Sequence, residues 1–440
     1  MEYSGKIKKM LKKTEEGDLI EVKKGKEFYT GSLIPKSSGS ENTVIIKLGN
    51  GYNIGIIPDK IKLIKKKAKG KETRKNKIKK DNSKKTISVL HTGGTLTSRI
   101  DYDTGGVTSI TGSAELLEAI PELKNISNID IVSEMHIATD DIEPEHWTDI
   151  ARNVMKEVRK GTDGVIIMQG TDFMHYTAIA LSFMLENINI PVILVGSQRS
   201  GDRGSSDAAM NLICSANFIA NSDFAGIGLC MHGTISDDFC LIHQGTRVRK
   251  MHTSRRDSFR SIDVLPIAKV NEKQIEFLRN DYKKRENENT ILKDKFEKKI
   301  AIVKMRPGFS YKEMEFYEKS YKGIVIEGSG LGHMPVNVSD NYTKHHEKLF
   351  KCLERMTKKG IIILMTSQCP YGKVNMNVYS PGRKLKEAGI MPVAMMPETA
   401  YVKLGWALGN TKTVKEAKEL IMKNVAGEIL EISDPRTFLM

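Results

Sequence analysis

The first part of the chain contains short runs in which apolar and polar residues alternate, with turn residues between them. Such runs occur at residues 18–22, 28–34, 43–48 and 52–56. Asn50 and Gly51, a strong signal for a two-residue hairpin turn, separate the last two runs. Alternation with a period of two is typical of strands that bury one face. The pattern therefore predicts a small antiparallel barrel or meander of about five strands in residues 1–64.

From residue 86 the pattern changes to short, wholly apolar runs that alternate with segments of helical spacing. The apolar runs, which predict buried strands, lie at 87–90, 164–168 and 191–196. The segments with helical spacing are 147–158 and 177–186. This alternation predicts a doubly wound, mostly parallel sheet in a domain spanning residues 86–290. Ligands of such sheets bind beyond the carboxyl ends of the strands.

A second α/β domain is predicted at residues 291–440. Its strand candidates are 300–303, 323–326 and 360–364, and its last helix is predicted at 413–424. The highly charged segment from about 271 to 299 is predicted to be helical and to separate the two domains. The predicted fold class is α/β: two doubly wound α/β domains preceded by a small N-terminal antiparallel β-barrel module.

The net charge of +15 is concentrated in one stretch of the chain. Residues 65–85 contain twelve Lys or Arg and two acidic residues, which gives +10 and leaves +5 for all other positions. Because this stretch has no apolar face, we predict an exposed basic linker at 65–85. Contact with RNA phosphates is the alternative, although the stretch has no aromatic residue on which a base could stack.

The cysteines and histidines show no recognisable ligand pattern. The five cysteines are Cys214, Cys230, Cys240, Cys352 and Cys369. They form no C-x-x-C pair, and no cysteine or histidine has the spacing of a zinc site, so we predict buried, reduced thiols and no bound metal. The chain also lacks a recognisable secretion signal and any apolar stretch of membrane-spanning length. We therefore expect a cytoplasmic protein.

The first segment that could carry chemistry is the predicted strand that runs into Gly93, Gly94 and Thr95. Two glycines let the backbone turn tightly and approach a ligand, while the threonine is presented at the carboxyl edge of the strand. A threonine at this position can also cap the helix that follows. The motif alone therefore leaves a catalytic and a structural interpretation open.

Two further segments supply a hydroxyl, a carboxylate and an amine. The predicted strand at 164–168 leads into Thr171 and Asp172, either of which could instead cap the next helix. Lys250 lies within a cluster of basic residues at 246–253, where a lysine can serve as a base or proton shuttle or simply belong to a solvated loop. Together the three segments suggest an activated hydroxyl nucleophile in one cleft.

These segments closely resemble the bacterial-type asparaginase/glutaminase family over about residues 86–435. The resemblance implies that Thr95 attacks the amide carbon with assistance from Tyr102. It also implies that Thr171, Asp172 and Lys250 form a second, hydrogen-bonded triad. The base that takes the proton of Thr95 is then either Tyr102 or this triad.

Substrate-binding positions follow from the same resemblance. Thr139 falls where a serine of the family binds the α-carboxylate of the substrate, and it keeps the hydroxyl donor. Backbone N–H groups around Gly94 and Gly170 are predicted to stabilise the oxyanion. Gln169 stands where the family usually has histidine. Because an amide cannot titrate near neutral pH, an orienting role is predicted for Gln169.

Three regions outside these motifs make the resemblance more specific, because they match one subgroup of proteins. They are the N-terminal module with residues 47–55, the segment 196–208, and the C-terminal pair 365–375 and 397–404. Together they resemble the D subunits of archaeal glutamyl-tRNA(Gln) amidotransferases over nearly the whole chain. The resemblance implies a glutaminase that supplies ammonia from glutamine to a partner E subunit. The partner would use it, with ATP, to convert glutamyl-tRNA(Gln) to glutaminyl-tRNA(Gln).

The resemblance also sets expectations for cofactors and assembly. The chain has no G-x-x-x-x-G-K-[ST] loop, so we expect it to bind no cofactor and the partner to hold ATP and magnesium. A homodimer within an assembly of two D and two E subunits is implied. A stand-alone L-asparaginase using the same residues is the alternative enzyme. A non-catalytic RNA-binding protein would explain the basic stretch. A purely structural interaction protein, the last alternative, would leave the three strand-end motifs unexplained.

Overall fold

The computed structural model describes residues 3–15, 17–33, 40–48, 53–66, 80–93, 98–100, 107–109, 116–117, 120–135, 137–199, 205–286 and 288–438. Several predicted features lie outside these residues: Gly94, Thr95 and Tyr102 of the site, the Asn50–Gly51 turn, and most of the basic linker.

The N-terminal module is a five-stranded antiparallel sheet, as the alternating pattern predicts. A short helix, α1 (Gly5–Met10), precedes β1 (Leu19–Lys24), β2 (Glu27–Leu33), β3 (Val44–Leu48), β4 (Asn53–Ile56) and β5 (Lys60–Lys65). The strands lie in the order β4-β3-β2-β1-β5. Ile20 and Val22 of β1 are fully buried and pack with Ile7 of α1 in a core of their own. Period-two alternation therefore gives the module one apolar and one polar face.

The following domain is built on an eight-stranded mixed sheet. The domain contains the eight strands of this sheet and several short strands that pair outside it. In chain order they are β6 (Thr86–His91), β7 (Ser98–Ile100), β8 (Val107–Ser109), β9 (Asn128–Glu134), β10 (Gly164–Met168), β11 (Leu185–Glu186), β12 (Pro191–Val195), β13 (Gly226–His232), β14 (Cys240–Gln244), β15 (Val248–Lys250), β16 (Phe259–Ser261), β17 (Ala268–Val270) and β18 (Ile275–Phe277). The large sheet has the order β18-β17-β14-β13-β12-β10-β6-β9. Pairing is parallel from β9 to β13 and antiparallel from β13 to β18.

Helices cover both faces of this sheet, which makes it doubly wound. They are α2 (Leu123–Ile126), α3 (Pro144–Arg159), α4 (Met174–Met184) and α5 (Ala208–Asn221). Successive residues of β10 supply the two faces in turn. Val165 and Ile167 pack in the core that includes α4, whereas Ile166 and Met168 pack in the core that includes α5. Burial on both sides explains why β10 reads as an unbroken apolar run.

The predicted charged helix at about 271–299 is wrong. This segment contains β18, which pairs with β17 as a hairpin, and β19 (Ile291–Leu292), which pairs with β11. Phe277 of β18 stacks on Tyr282 with the ring centroids 4.7 Å apart. The Arg285 guanidinium donates to the backbone carbonyls of Asp163 and Ile219. These tertiary contacts outweigh the helix propensity of a Lys- and Glu-rich sequence.

The C-terminal domain has a four-stranded parallel sheet in the order β20-β21-β22-β23. Its elements are β20 (Ile300–Lys304), α6 (Tyr311–Ser320), β21 (Gly323–Gly328), α7 (His346–Lys358), β22 (Ile362–Ser367), α8 (Ser380–Glu387), β23 (Met391–Pro392), α9 (Pro397–Asn410) and α10 (Val414–Met422). The predicted strands and last helix are confirmed. The two α/β domains and the N-terminal antiparallel module confirm the predicted fold class, while the boundaries at 64, 85 and 290 stay predictions.

Helix α9 joins the two α/β domains. It packs against α4 of the first domain and against β20 and β21 of its own. Trp406 of α9 stacks on Phe183 of α4 at 5.5 Å between centroids, inside one continuous hydrophobic core. Arg247, which precedes β15, is also buried there and donates to the carbonyl of Ala394. The site residues on β15 are therefore fixed relative to the C-terminal domain.

Two expectations from composition can be compared with the structure. Four cysteines are buried, but Cys369 is exposed because it lies in the loop that follows β22, so the prediction of uniformly buried thiols is wrong at that position. Among the helices of the described part of the chain, none is long and apolar enough to cross a membrane.

Candidate active site

The first two motifs start at the same edge of the sheet. Strands β6 and β10 are parallel neighbours, with His91 opposite Met168 at their carboxyl ends. Beyond them, the backbone N–H and the hydroxyl of Thr92 both donate to the carbonyl oxygen of Met168 at 3.0 Å. The segment leading to Thr95 and the segment leading to Thr171 are therefore anchored to each other where both strands end.

Gly93 is the residue that allows the first segment to turn. Its φ angle of 115° is one that L side chains rarely adopt. A Cβ atom on Gly93 would lie 2.4 Å from the carbonyl oxygen of Ile137, which is backbone and cannot move aside. The tight turn and close approach that the sequence predicted for the first motif thus belong to Gly93.

Thr171, Asp172 and Lys250 form the hydrogen-bonded group that the resemblance implies. The Lys250 ammonium donates to Thr171 Oγ1 at 2.9 Å and to Asp172 Oδ1 at 2.8 Å. Thr171 is buried, the Lys250 side chain is 11% exposed, and the Asp172 side chain is 62% exposed. Because Thr171 Oγ1 accepts from the ammonium, its own hydrogen is free to donate to another group.

Thr139 lies directly beside this group. Its Oγ1 accepts a hydrogen bond from the backbone N–H of Phe173 at 3.1 Å. A Cβ atom on Gly170 would lie 2.9 Å from Thr139 Cβ, so the two residues are in close contact. The hydroxyl hydrogen of Thr139 remains available, and its predicted bond to a substrate carboxylate is compatible with this geometry.

Gln169 and Gly196 are close neighbours of Thr171. Gln169 is buried, and its side-chain amide donates to Thr177 Oγ1 of α4 at 3.0 Å. Gly196 follows β12, and a Cβ atom there would lie 2.7 Å from Thr171 Cγ2 and 2.8 Å from the Gln169 carbonyl. The orienting function of Gln169 stays a prediction, and Thr177 is the hydrogen-bond partner of its side chain.

Three functional neighbours were missed by the sequence reasoning: Arg249, Glu398 and His175. Arg249 Nε lies 3.0 Å from Glu398 Oε1, which links β15 to α9 of the C-terminal domain. Burial raises the pKa of Glu398, and Glu398 Oε2 is buried without a hydrogen-bond partner among the residues that the structure describes. Arg249 and Glu398 stood in segments singled out above, but nothing in the sequence indicates that they meet.

His175 remains neutral in this setting. Burial, together with the positive charges of Arg249 and Lys250, lowers the pKa of His175 to about 3 from 6.5. The ring lies 4.8 Å from that of Tyr176, whose pKa is raised by burial and by Glu398. The cation beside Thr171 is thus Lys250, while Arg249 is paired with Glu398.

A buried aspartate organises the loop that follows β12. Asp207 accepts from the backbone N–H groups of Gln198 and Arg199 at 3.0 and 3.1 Å. The Gln198 side chain in turn donates to Ser258 Oγ at 2.8 Å, in the connection between β15 and β16. Gln198, Arg199 and Asp207 are therefore tied to the hairpin that carries Lys250. In the described residues, no group of His, Cys, Asp and Glu is placed to hold a metal ion.

Comparison with known proteins agrees with this geometry. Residues 86–283 match the family described as Asparaginase, N-terminal, and residues 299–421 match the Glutaminase/Asparaginase C-terminal domain. Residues 14–66 match the GatD N-terminal domain. Among solved structures, the thermostable L-asparaginase from Thermococcus kodakarensis has a TM-score of 0.69 and 29% identity, covering 78% of this chain and 99% of its own. L-asparaginase I from Vibrio cholerae has a TM-score of 0.69 and 27% identity, covering 79% and 99%.

Relatives of similar length extend the match to the whole chain. The D subunit of glutamyl-tRNA(Gln) amidotransferase from Pyrococcus furiosus is 49% identical over 436 residues, covering 97% of this chain and 95% of its own. The D subunit from Thermococcus kodakarensis is 48% identical, covering 96% of each chain. The one from Sulfolobus acidocaldarius is 43% identical, covering 97% and 95%. With asparaginase-type domains, an N-terminal module of its own family and near-full-length relatives at 43–49% identity, this chain belongs to the family of glutamyl-tRNA(Gln) amidotransferase D subunits.

Proposed function

We propose that this chain is the glutaminase of a tRNA-dependent amidotransferase, releasing ammonia from the side-chain amide of glutamine. The observation that carries the proposal is the hydrogen-bonded group of Lys250, Thr171 and Asp172 at the sheet edge from which the Thr95 segment departs. A hydroxyl nucleophile needs a base and an orienting cation near it, and this edge supplies both kinds of group.

The reaction proceeds as an acyl transfer in two steps. Thr95 Oγ attacks the carboxamide carbon, its proton passes to Tyr102 or through Thr171 and then to the amide nitrogen, and the C–N bond breaks to release ammonia. Water then hydrolyses the glutamyl ester, which returns Thr95 and gives glutamate. Lys250 holds the hydroxyl of Thr171 at 2.9 Å and so directs its hydrogen away from the ammonium.

Substrate binding uses groups on neighbouring strand ends. Thr139 donates to the α-carboxylate of glutamine while its oxygen stays bonded to the Phe173 N–H. Backbone N–H groups around Gly94 and Gly170 stabilise the oxyanion, each contributing about 3 kcal/mol. Gln169 keeps α4 in register with this edge through Thr177.

The ammonia is consumed by a partner, an E subunit that activates tRNA-bound glutamate with ATP. The chain itself needs no cofactor in this scheme, because ATP and magnesium act in the partner. We place the enzyme in the cytoplasm, as a homodimer within an assembly of two D and two E subunits that also binds glutamylated tRNA(Gln). Near-full-length likeness to the D subunits of these amidotransferases supports this assignment over that of a stand-alone L-asparaginase.

The decisive comparison is ammonia release from glutamine and from asparagine, measured with and without the partner subunit and glutamylated tRNA. We expect glutamine to be the preferred substrate and its turnover to rise when the complex and the glutamylated tRNA are present. Turnover of asparagine that exceeds that of glutamine and does not respond to the partner would identify a free amidohydrolase instead.

A further inference from the structure

The outward face of the N-terminal sheet carries lysines. In β1, buried Ile20 and Val22 alternate with Glu21 and Lys23, which therefore point away from the core. In β5, Lys60 and Lys62 are exposed and alternate with partly buried residues that pack on the same core. Since β1 and β5 are antiparallel neighbours, these side chains share one surface.

An exposed aromatic ring continues this surface. Lys23 pairs with Phe28 of β2 on one side and with Lys60 of β5 on the other. Phe28 is 59% exposed, and the Lys23 Nζ lies 5.5 Å from the centroid of its ring. Lys62 lies opposite Glu21 in the next cross-strand pair on this face. We call Lys23, Phe28, Lys60 and Lys62 the basic outer face.

The charge of the whole chain is concentrated on this part of it. Residues 1–85 contain 24 Lys or Arg and 10 Asp or Glu, a net charge of +14, whereas residues 86–440 contain 45 and 44, a net charge of +1. The amidase domains are therefore almost neutral. A polyanion approaching the molecule is attracted to the N-terminal module and the residues that follow it.

We infer that the basic outer face binds the RNA substrate of the assembly. Lys23, Lys60 and Lys62 contact backbone phosphates, and an unpaired base stacks on Phe28. An acidic protein surface would satisfy the lysines equally well. However, an exposed ring beside a row of cations is the arrangement that single-stranded nucleic acid uses, because every base has a face that can stack. This inference rests on the proposed function, which supplies tRNA as the substrate.

The test uses the full-length chain assembled with its partner, and unacylated tRNA(Gln) transcript as the probe. Fluorescence anisotropy gives Kd as a function of salt concentration. The triple variant Lys23→Gln, Lys60→Gln, Lys62→Gln is expected to raise Kd at least about tenfold near 0.1 M salt and to lower the slope of log Kd against log salt by about two to three. Phe28→Ala is expected to raise Kd about tenfold and leave that slope unchanged.

Matched variants on the C-terminal domain serve as controls. Lys312, Lys319 and Lys358 are exposed lysines for a control triple variant, and Phe316, 63% exposed, is the control for Phe28. These controls should bind tRNA as the wild type does. Unchanged tRNA affinity in the basic-outer-face variants overturns the inference, and so does loss of assembly with the partner, which would make the face a protein interface. Glutamine hydrolysis by the free chain is measured separately, so failure of the proposed function is recognised independently.

Discussion

Close contacts with two neighbouring residues fix the position of the Thr171 side chain. Gly196 packs against its methyl group so closely that any side chain there would displace the threonine, whose Cβ branching leaves it few rotamers. Lys250 fixes the hydroxyl on the other side. In the sequence, a strand end marks Thr171 and Asp172, whereas Lys250 is identified through the family resemblance. The need for glycine at 196 could not be predicted, because the atoms that it approaches come from other segments.

Gly196→Ala is expected to lower kcat/KM for glutamine at least about tenfold and the free energy of unfolding by about 1–3 kcal/mol, because the new methyl group pushes on Thr171 and the Gln169 carbonyl. Glutaminase assays and urea unfolding of the full chain measure the two effects. Gly5→Ala is the control, since nothing lies within 4 Å of a Cβ atom at that position. Wild-type turnover by Gly196→Ala would show that Thr171 tolerates displacement.

His243 makes stability depend on pH. It is fully buried on β14 with Nδ1 2.8 Å from Ser261 Oγ, and burial, aided by Arg260, lowers its pKa to about 3 from 6.5. Below pH 6.5 the unfolded chain binds a proton that folded His243 does not, so stability falls as the pH drops. The slope from this group approaches about 1.4 kcal/mol per pH unit.

In His243→Gln, the free energy of unfolding should therefore fall less steeply as the pH drops from about 6.5 to 4.5. The slope should be smaller by up to about 1.4 kcal/mol per pH unit. Urea unfolding of wild type and variant across this range gives the difference. Above about pH 7.5 the two curves should run parallel, because the His243 imidazole is neutral there in both the folded and the unfolded wild-type chain. Equal slopes in the acidic range would contradict the assigned burial of a neutral imidazole.

At the scale of elements, the strands and helices with strong periodicity were predictable. The predicted apolar runs correspond to strands β6, β10, β12, β20, β21 and β22. The segments with helical spacing correspond to helices α3, α4 and α10. The segment at 271–299 was not, because short strand pairings and contacts such as Phe277 on Tyr282 decide its structure. The ion pair between Arg249 of β15 and Glu398 of α9 was equally inaccessible, since it exists only when two domains pack together.

This ion pair is expected to position the strand that carries Lys250. Arg249→Met leaves the buried Glu398 carboxylate without its cation and should lower the free energy of unfolding by about 3 kcal/mol. It should also lower kcat more than it raises KM, because β15 is no longer held against α9. Adding Glu398→Gln removes the unpaired charge and should restore part of the stability. The two effects should thus be non-additive by about 1–3 kcal/mol in a double-mutant cycle. Simple additivity would show that the pair does not couple the domains.

At the scale of the whole molecule, the chain divides its tasks. The two α/β domains are joined by a hydrophobic core that spans both of them, and they carry the amidase site with almost no net charge. The N-terminal module has its own core and, with the residues up to 85, nearly all of the net charge. This division suits an enzyme whose small substrate is hydrolysed in one part while a large anionic substrate is held by another.

The central claim is that the Thr95 and Thr171 hydroxyls release ammonia from glutamine. The most direct test is the rate of ammonia release by the complex with Thr95→Ala and with Thr171→Ala. Each variant should lose at least about a hundredfold in kcat/KM, since Thr95→Ala removes the nucleophile and Thr171→Ala removes the hydroxyl that Lys250 orients. Circular dichroism and the thermal midpoint should match those of the wild type. Thr148→Ala, which removes a hydroxyl bonded to the Asp294 carbonyl away from the site, should stay active. Substantial glutaminase turnover by either Thr95→Ala or Thr171→Ala would contradict the account.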